Sequence, residues 1–293
     1  MIFEKVSEHI WYMPREDETD RPALGYVNGG KTSLMVDSGN SPEHISYFYG
    51  VVRSMGMPDP GFVVLTHWHW DHVFGLTGSP AKSVAHVLTN ERLQIMQRWD
   101  WSDSSISARV SAGVETQFAF DMIRKEMPSR HSFKVKQADI SFEVQCAIRL
   151  EDLECQLVHV GGPHSDDSIV VYVPQEKVLF LGDCAYPDIY NNNSLRLSEL
   201  SSLILRLEQF EADLFIPSHS DPKSKNQFMS ELKSLEKIGI AVGDLTDPAL
   251  LPALLEKELG HQPTKEEIES AEHFVIGNQL SNRNLMDHPF FFK

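Results

Sequence analysis

The sequence predicts an α+β fold in which sheets are covered by helices, and three observations lead there. Short, apolar, β-branched runs alternate with helical stretches along the chain. The alternation falls into two halves and has no repeat of fixed period, which favours layered sheets over a solenoid. Histidines and aspartates cluster where the apolar runs end, the place where α/β-type sheets gather their sites.

The elements follow in order. Leu34 to Gly39 is an apolar strand ending in turn residues, after which Asn40 or Ser41 caps a helix running to about Met55. Gly56, Pro58 and Pro60 end it, and Phe62 to Thr66 reads as a buried strand. Leu93, Met96 and Gln97 then open one helical stretch and Phe118, Met122 and Met127 carry another, with Trp99 and Trp101 in the polar break between them. This segment, 89–130, is a helical insertion that either packs on a sheet edge or walls the site. Strand patterns resume at Ile140–Val144 and Cys155–Val160. Two more, Ser168–Val173 and Lys177–Leu181, are joined by a turn at Pro174-Gln175-Glu176. A helix over about Leu195–Phe210, a strand at Asp213–Pro217 and a helix over 224–238 complete the pattern. Residues 1–240 are expected to form the catalytic domain. Residues 241–293 read as a polar helical extension used for packing or for homodimer formation.

Composition narrows the partners. The chain has 293 residues, 41% of them hydrophobic, enough for a substantial core. Its 26 Lys and Arg stand against 42 Asp and Glu, a net charge of −16, which disfavours nucleic acid and anionic membranes. Cys146, Cys155 and Cys184 are too few and too scattered for a disulfide framework and are expected to be reduced thiols. No apolar stretch is long enough to span a bilayer and no leader-like segment opens the chain, so a cytoplasmic protein is expected.

The chemistry concentrates in His67-Trp68-His69-Trp70-Asp71-His72. If residues 62–69 are extended, side chains 67 and 69 share a face and can hold one Zn²⁺, while Trp68 and Trp70 pack behind. Asp71 and His72 follow where a helix can start, aimed at a neighbouring point. Further donors lie at three strand ends: His164 after Val160-Gly161-Gly162-Pro163, Asp183 after Leu181-Gly182, and His219 after Pro217-Ser218.

This order of Thr66-His67, His69, Asp71-His72, then Gly162-Pro163-His164, Gly182-Asp183 and Ser218-His219 resembles the metallo-β-lactamase superfamily over roughly residues 8–222. The resemblance implies a four-layer αββα sandwich. It implies that His67, His69 and His164 hold one metal, that Asp71, His72 and His219 hold a second, and that Asp183 bridges them. Asp37 resembles a family aspartate that supports the site from behind. The implied cofactor is two divalent ions, zinc before iron or manganese, since these donors suit all three. The implied reaction is attack of a hydroxide, generated between the metals, on a small carbonyl substrate: an ester, a thioester, a lactone or a β-lactam-like amide. Asp71 would orient the nucleophile as well as ligate. A phosphodiesterase or nuclease, or an iron enzyme running redox chemistry, are the alternatives. Two departures weigh against lactams. One large group of lactam-cleaving members has a cysteine ligand where Asp183 stands, whereas Cys184 comes one residue later and should point away. The lysine those enzymes place three residues on is Tyr186 here. Tyr186, Tyr190, Trp70, Trp99 and Trp101 are pocket candidates, with core packing as the plainer reading of each.

Overall fold

The computed structural model describes residues 3–281. Its first sheet runs in chain order through β1 (Glu4–Lys5), β2 (Ile10–Met13), β3 (Leu24–Asn28), β4 (Ser33–Val36), β5 (Phe62–Val64), β6 (Lys82–His86) and β7 (Ile140–Phe142). The pairs are antiparallel as far as β4 and parallel from β4 to β7. The second sheet holds β8 (Gln145–Leu150), β9 (Leu153–His159), β10 (Ile169–Val173), β11 (Val178–Gly182), β12 (Leu214–Pro217) and β13 (Lys223–Ser224), in which only β11 and β12 pair in parallel.

Parallel neighbours need crossovers, and helices supply them. These are α1 (Pro42–Ser54), α2 (Trp70–Val73), then α3 (Val87–Met96), α4 (Asp103–Ser111) and α5 (Gln117–Glu126) between β6 and β7, and α6 (Leu197–Glu208) between β11 and β12. The chain then continues into α7 (Lys225–Val242), α8 (Leu251–Leu259) and α9 (Lys265–Ser281). Ser41 is the cap of α1, its side chain accepting from the His44 amide.

Three apolar clusters define the layers. The inner one joins Val27, Leu34, Val36 and Val64 of the first sheet to Leu157, Val171, Val173 and Phe180 of the second. A second covers the outer face of the first sheet with α1, α2 and the insertion. A third covers the second sheet with α6 and α7, and Leu251, Leu255, Phe274 and Val275 of α8 and α9 belong to it. Helix, sheet, sheet, helix is therefore the order, as expected. The C-terminal helices share that third core, and the Leu195 amide donates to the His273 carbonyl at 2.9 Å.

Some expectations need correction. The insertion contains three helices, not two; α4 is capped by Ser102 but buries only Ile106, so apolar periodicity could not reveal it. Strand β5 stops at Val64, so His67 and His69 sit on a connecting loop and not on an extended strand. Trp70 and Trp101 are fully buried and pack on Phe74 with ring centroids 5.8 and 4.6 Å away, so the core-packing reading holds for both. The three cysteines are free.

Candidate metal centre

The loop after β5 is fixed by one carboxylate. Asp37, just past β4, has a left-handed φ of 60°. It accepts the Thr66 amide at 2.7 Å and the Thr66 hydroxyl at 2.8 Å, and His72 Nδ1 donates to it at 2.8 Å. That pins both ends of the segment from His67 to His72.

His67 and His69 then face His164, which the second sheet delivers on the loop after β9. His164 Nε2 lies 2.9 Å from His69 Nδ1, and the ring centroids of His67 and His164 are 5.1 Å apart. The second group forms alongside. Asp71 and His72 occupy the first turn of α2, and His72 Nε2 is 3.0 Å from Asp71 Oδ2. His219, on the loop after β12, places Nε2 3.1 Å from the same oxygen. Asp183 closes β11, and its Oδ2 lies 3.4 Å from His72 Nε2, 3.3 Å from His219 Nε2 and 3.5 Å from His164 Nε2. One carboxylate oxygen thus touches both groups. All seven residues expected from the sequence converge.

Two glycines allow the approach. Gly182 has φ of 55°, and a Cβ there would stand 2.6 Å from the Thr66 hydroxyl. Gly162 has φ of 121°, and its Cβ would meet the Cys184 carbonyl at 2.4 Å.

The donor sets suit divalent cations. His67, His69 and His164 form one group and Asp71, His72, Asp183 and His219 the other, with donor atoms in each within 4.8 Å of one another. His67 Nε2 and Asp183 Oδ1 are buried without a hydrogen-bond partner, a cost that a cation would remove. Imidazole nitrogen and carboxylate oxygen are the ligands of Zn, Fe and Mn. The outer nitrogens have supports as well: His164 Nδ1 donates to the Pro187 carbonyl at 2.8 Å, and His67 Nδ1 lies 3.2 Å from the Thr66 hydroxyl.

Charge patterns agree. Burial, reinforced by neighbouring imidazoles, holds His67 and His69 well below the usual histidine range, as neutral ligands require. Burial alone would raise Asp183, but His219 and His72 override it and hold the carboxyl well below its ordinary range. Burial would also lower His72, yet Asp71, Asp37 and Asp183 raise it. The potential that favours a proton on His72 favours a divalent cation in its place.

Two neighbours, Asp20 and Glu115, were invisible in the sequence. Asp20, on the β2–β3 loop, puts Oδ1 3.5 Å from His219 Nδ1. Burial and the charge of Asp71 push it up to about 7, a repulsion that a cation beside Asp71 would cancel. Glu115, between α4 and α5, is 6% exposed and lies against Tyr190, whose ring packs 4.9 Å from His69 and 4.8 Å from Trp68. Tyr186, expected as a pocket candidate, faces the site between His164 and His219, with centroids 6.3 and 6.1 Å away. Trp99 stacks near Trp101 and Arg109 inside the insertion. Cys184 points into the outer core with Leu181 and Leu203, away from the donors as expected. Cys184→Ser should therefore leave metal content unchanged; loss of one equivalent by atomic absorption would move the bridging position by one residue.

Burial pushes the Glu115 carboxyl up to about 7. A carboxyl raised on folding contributes stability that is full below pH 4.5 and lost as pH rises through 7, a slope of at most about 1.4 kcal/mol per pH unit. Glu115→Gln is expected to flatten that alkaline decline in urea melts between pH 5 and 8. An unchanged slope would remove Glu115 as its source.

The family profile of the metallo-β-lactamase superfamily matches residues 23–219. No curated protein matches the sequence. Among solved structures, a metallo-β-lactamase from Pontibacter korlensis is similar at 19% identity and a TM-score of 0.55, over 79% of this chain and 98% of that one. The DIM-1 metallo-β-lactamase gives 20% and 0.56, over 80% and 96%. The stereoselective inverting sec-alkylsulfatase Pisa1 from Pseudomonas sp. gives 14% and 0.64, over 98% of this chain and 50% of that one. At such identities the likeness concerns the fold. No helix among the described residues is long and apolar enough to cross a membrane. With its αββα layers and His-Asp donor groups at the sheet ends, and with a profile match over more than half its length, the chain belongs to the metallo-β-lactamase superfamily.

Proposed function

We propose that this protein is a dinuclear metal hydrolase, zinc before iron or manganese, acting on a small carbonyl substrate such as an ester, thioester, lactone or β-lactam-like amide. The observation that carries the reading is the single Asp183 oxygen lying within 3.5 Å of His164, His72 and His219, which ties two donor groups into one site. Bound divalent ions supply an acidified water and polarise the oxygen of the group attacked.

The chain's own residues do the rest. Asp37 holds the His67–His72 segment, so the donors need no rearrangement before use. Asp71 places a second carboxylate oxygen beside Asp183 between His72 and His219, where it can orient a water proton. The Tyr190 and Trp68 rings cover His69 and exclude solvent on that flank. Tyr186 presents a phenol bonded to Ser220 at 3.2 Å where lactam-cleaving relatives would carry a lysine, which favours neutral carbonyl substrates over a drug carboxylate.

A second reading is hydrolysis of a sulfate or phosphate ester. It has one supporting observation: the alkylsulfatase similarity extends over 98% of the chain and so takes in the C-terminal helices. Metal content together with turnover of a lactone, a thioester, a chromogenic cephalosporin, bis-p-nitrophenyl phosphate and a secondary alkyl sulfate decides between them. Two zinc per chain with carbonyl turnover is expected. Turnover of the phosphate or sulfate ester alone would overturn the carbonyl assignment.

A further inference from the structure

His219 differs from the other donors. Its side chain is 25% exposed, whereas those of Asp71 and Asp183 are 6% exposed and that of His72 is fully buried. It also arrives on a loop, so something must set its ring. Nε2 faces Asp71 and Asp183, and behind the ring Asp20 Oδ1, from another part of the chain, lies 3.5 Å from Nδ1.

Asp20 is itself held. Its φ of 59° is left-handed, a turn conformation that aspartate accepts, and the residues on either side of it are fixed. Both neighbours are tied to Glu126 at the end of α5. Thr19 Oγ1 donates to Glu126 Oε2 at 2.5 Å, and Arg21 Nη2 to Oε1 at 2.8 Å. Ser41, the cap of α1, donates to the same carboxylate at 2.5 Å. Asn40 Nδ2 donates to the Thr19 carbonyl at 2.8 Å, and Glu16 and Arg21 exchange backbone bonds at 2.9 Å each way. The Glu126 side chain at the centre of this knot is 3% exposed.

We infer that Asp20 is a positioning residue for His219, and that the helical insertion sets the second donor group through Glu126, Thr19 and Arg21. This rests on the reading above that Asp71, His72, Asp183 and His219 hold a cation. A carboxylate behind a ligating histidine fixes the ring orientation and strengthens the nitrogen in front, and such partners change metal affinity by about 10- to 100-fold. The insertion then has a task beyond covering the sheet: it locks the β2–β3 loop whose tip orients a ligand.

The test is zinc titration of the whole purified chain against a chromophoric chelator, resolving the tight and weak binding steps. Alongside it, the thermal midpoint of the metal-free protein is measured. Asp20→Ala is expected to weaken one step by about 10- to 100-fold and leave the other step unchanged, with only a small fall in the metal-free midpoint from alanine at the left-handed φ. Asp20→Asn, which keeps an acceptor oxygen, should fall between. Glu126→Gln should weaken the same step, with Thr19→Val as the milder variant if the first folds poorly. Two unaltered steps in Asp20→Ala would overturn the proposal, as would equal weakening of both together with a lowered metal-free midpoint. Failure of the underlying reading looks different: the unmodified protein would bind fewer than two zinc, or His72→Ala would leave both steps intact.

Discussion

Asp183→Ala is expected to cut kcat/KM for the best carbonyl substrate by about a thousandfold or more and to lower zinc content, with the fold intact. The magnitude matches removal of a group that stabilises transition-state charge, about 4 kcal/mol. Asp183 supplies the one oxygen near His164, His72 and His219 together, and no other carboxylate among the described residues bridges the two donor groups. The fold should survive because the side chain sits at a strand end and not within an apolar cluster. His164→Ala should match it in effect, acting on the other group. Near-normal activity in both variants, with unaltered zinc content, would remove this set of ligands.

Asp37→Ala should be the most damaging single change to stability. It strips partners from the Thr66 amide, the Thr66 hydroxyl and His72 Nδ1, all buried. Breaking such a network costs about 3–5 kcal/mol, a large part of a domain's total. Asp37→Asn keeps the shape and tolerates the left-handed φ, but offers an amide where one oxygen accepts two donors, so it should lie between. Asp37→Gly relieves the φ and loses the bonds, which makes it a control. Urea midpoints on metal-free protein rank them. If glycine proves as stable as aspartate, the hydrogen bonds do not matter and backbone strain does.

The convergence of these seven side chains was legible because its signal is local in chemistry: four donors in six residues, then a histidine or aspartate after each of three apolar strands. The layers were legible because β10 and β11 read as continuous apolar runs, as strands buried on both faces do. What stayed hidden has physical reasons. Asp20 lies in the polar run Glu16-Asp17-Glu18-Thr19-Asp20-Arg21, where nothing separates a carboxylate aimed at His219 from solvated neighbours. Glu126 looks like any surface residue near a helix end, and its three partners are 85 to 107 residues away in sequence. Helix α4 has almost no apolar face to detect. The extended run through His69 was misjudged because β-branched residues continue to Thr66 while the ladder stops at Val64; Asp37 captures the Thr66 amide instead.

The donors are drawn from the two halves of the sandwich: His67, His69, Asp71 and His72 follow a strand of the first sheet, while His164, Asp183 and His219 follow strands of the second. Bound cations would therefore clasp the halves together, and their occupancy would be written into the melting temperature. An ion that binds only the folded form adds about 2.7 kcal/mol when its free concentration is a hundred times Kd. A chelator should thus lower the melting temperature in proportion to the logarithm of free zinc, giving a measure of occupancy that needs no substrate. The same linkage would leave newly made chain least stable while the ion is scarce, so metal supply, as well as sequence, would govern how much folded protein accumulates.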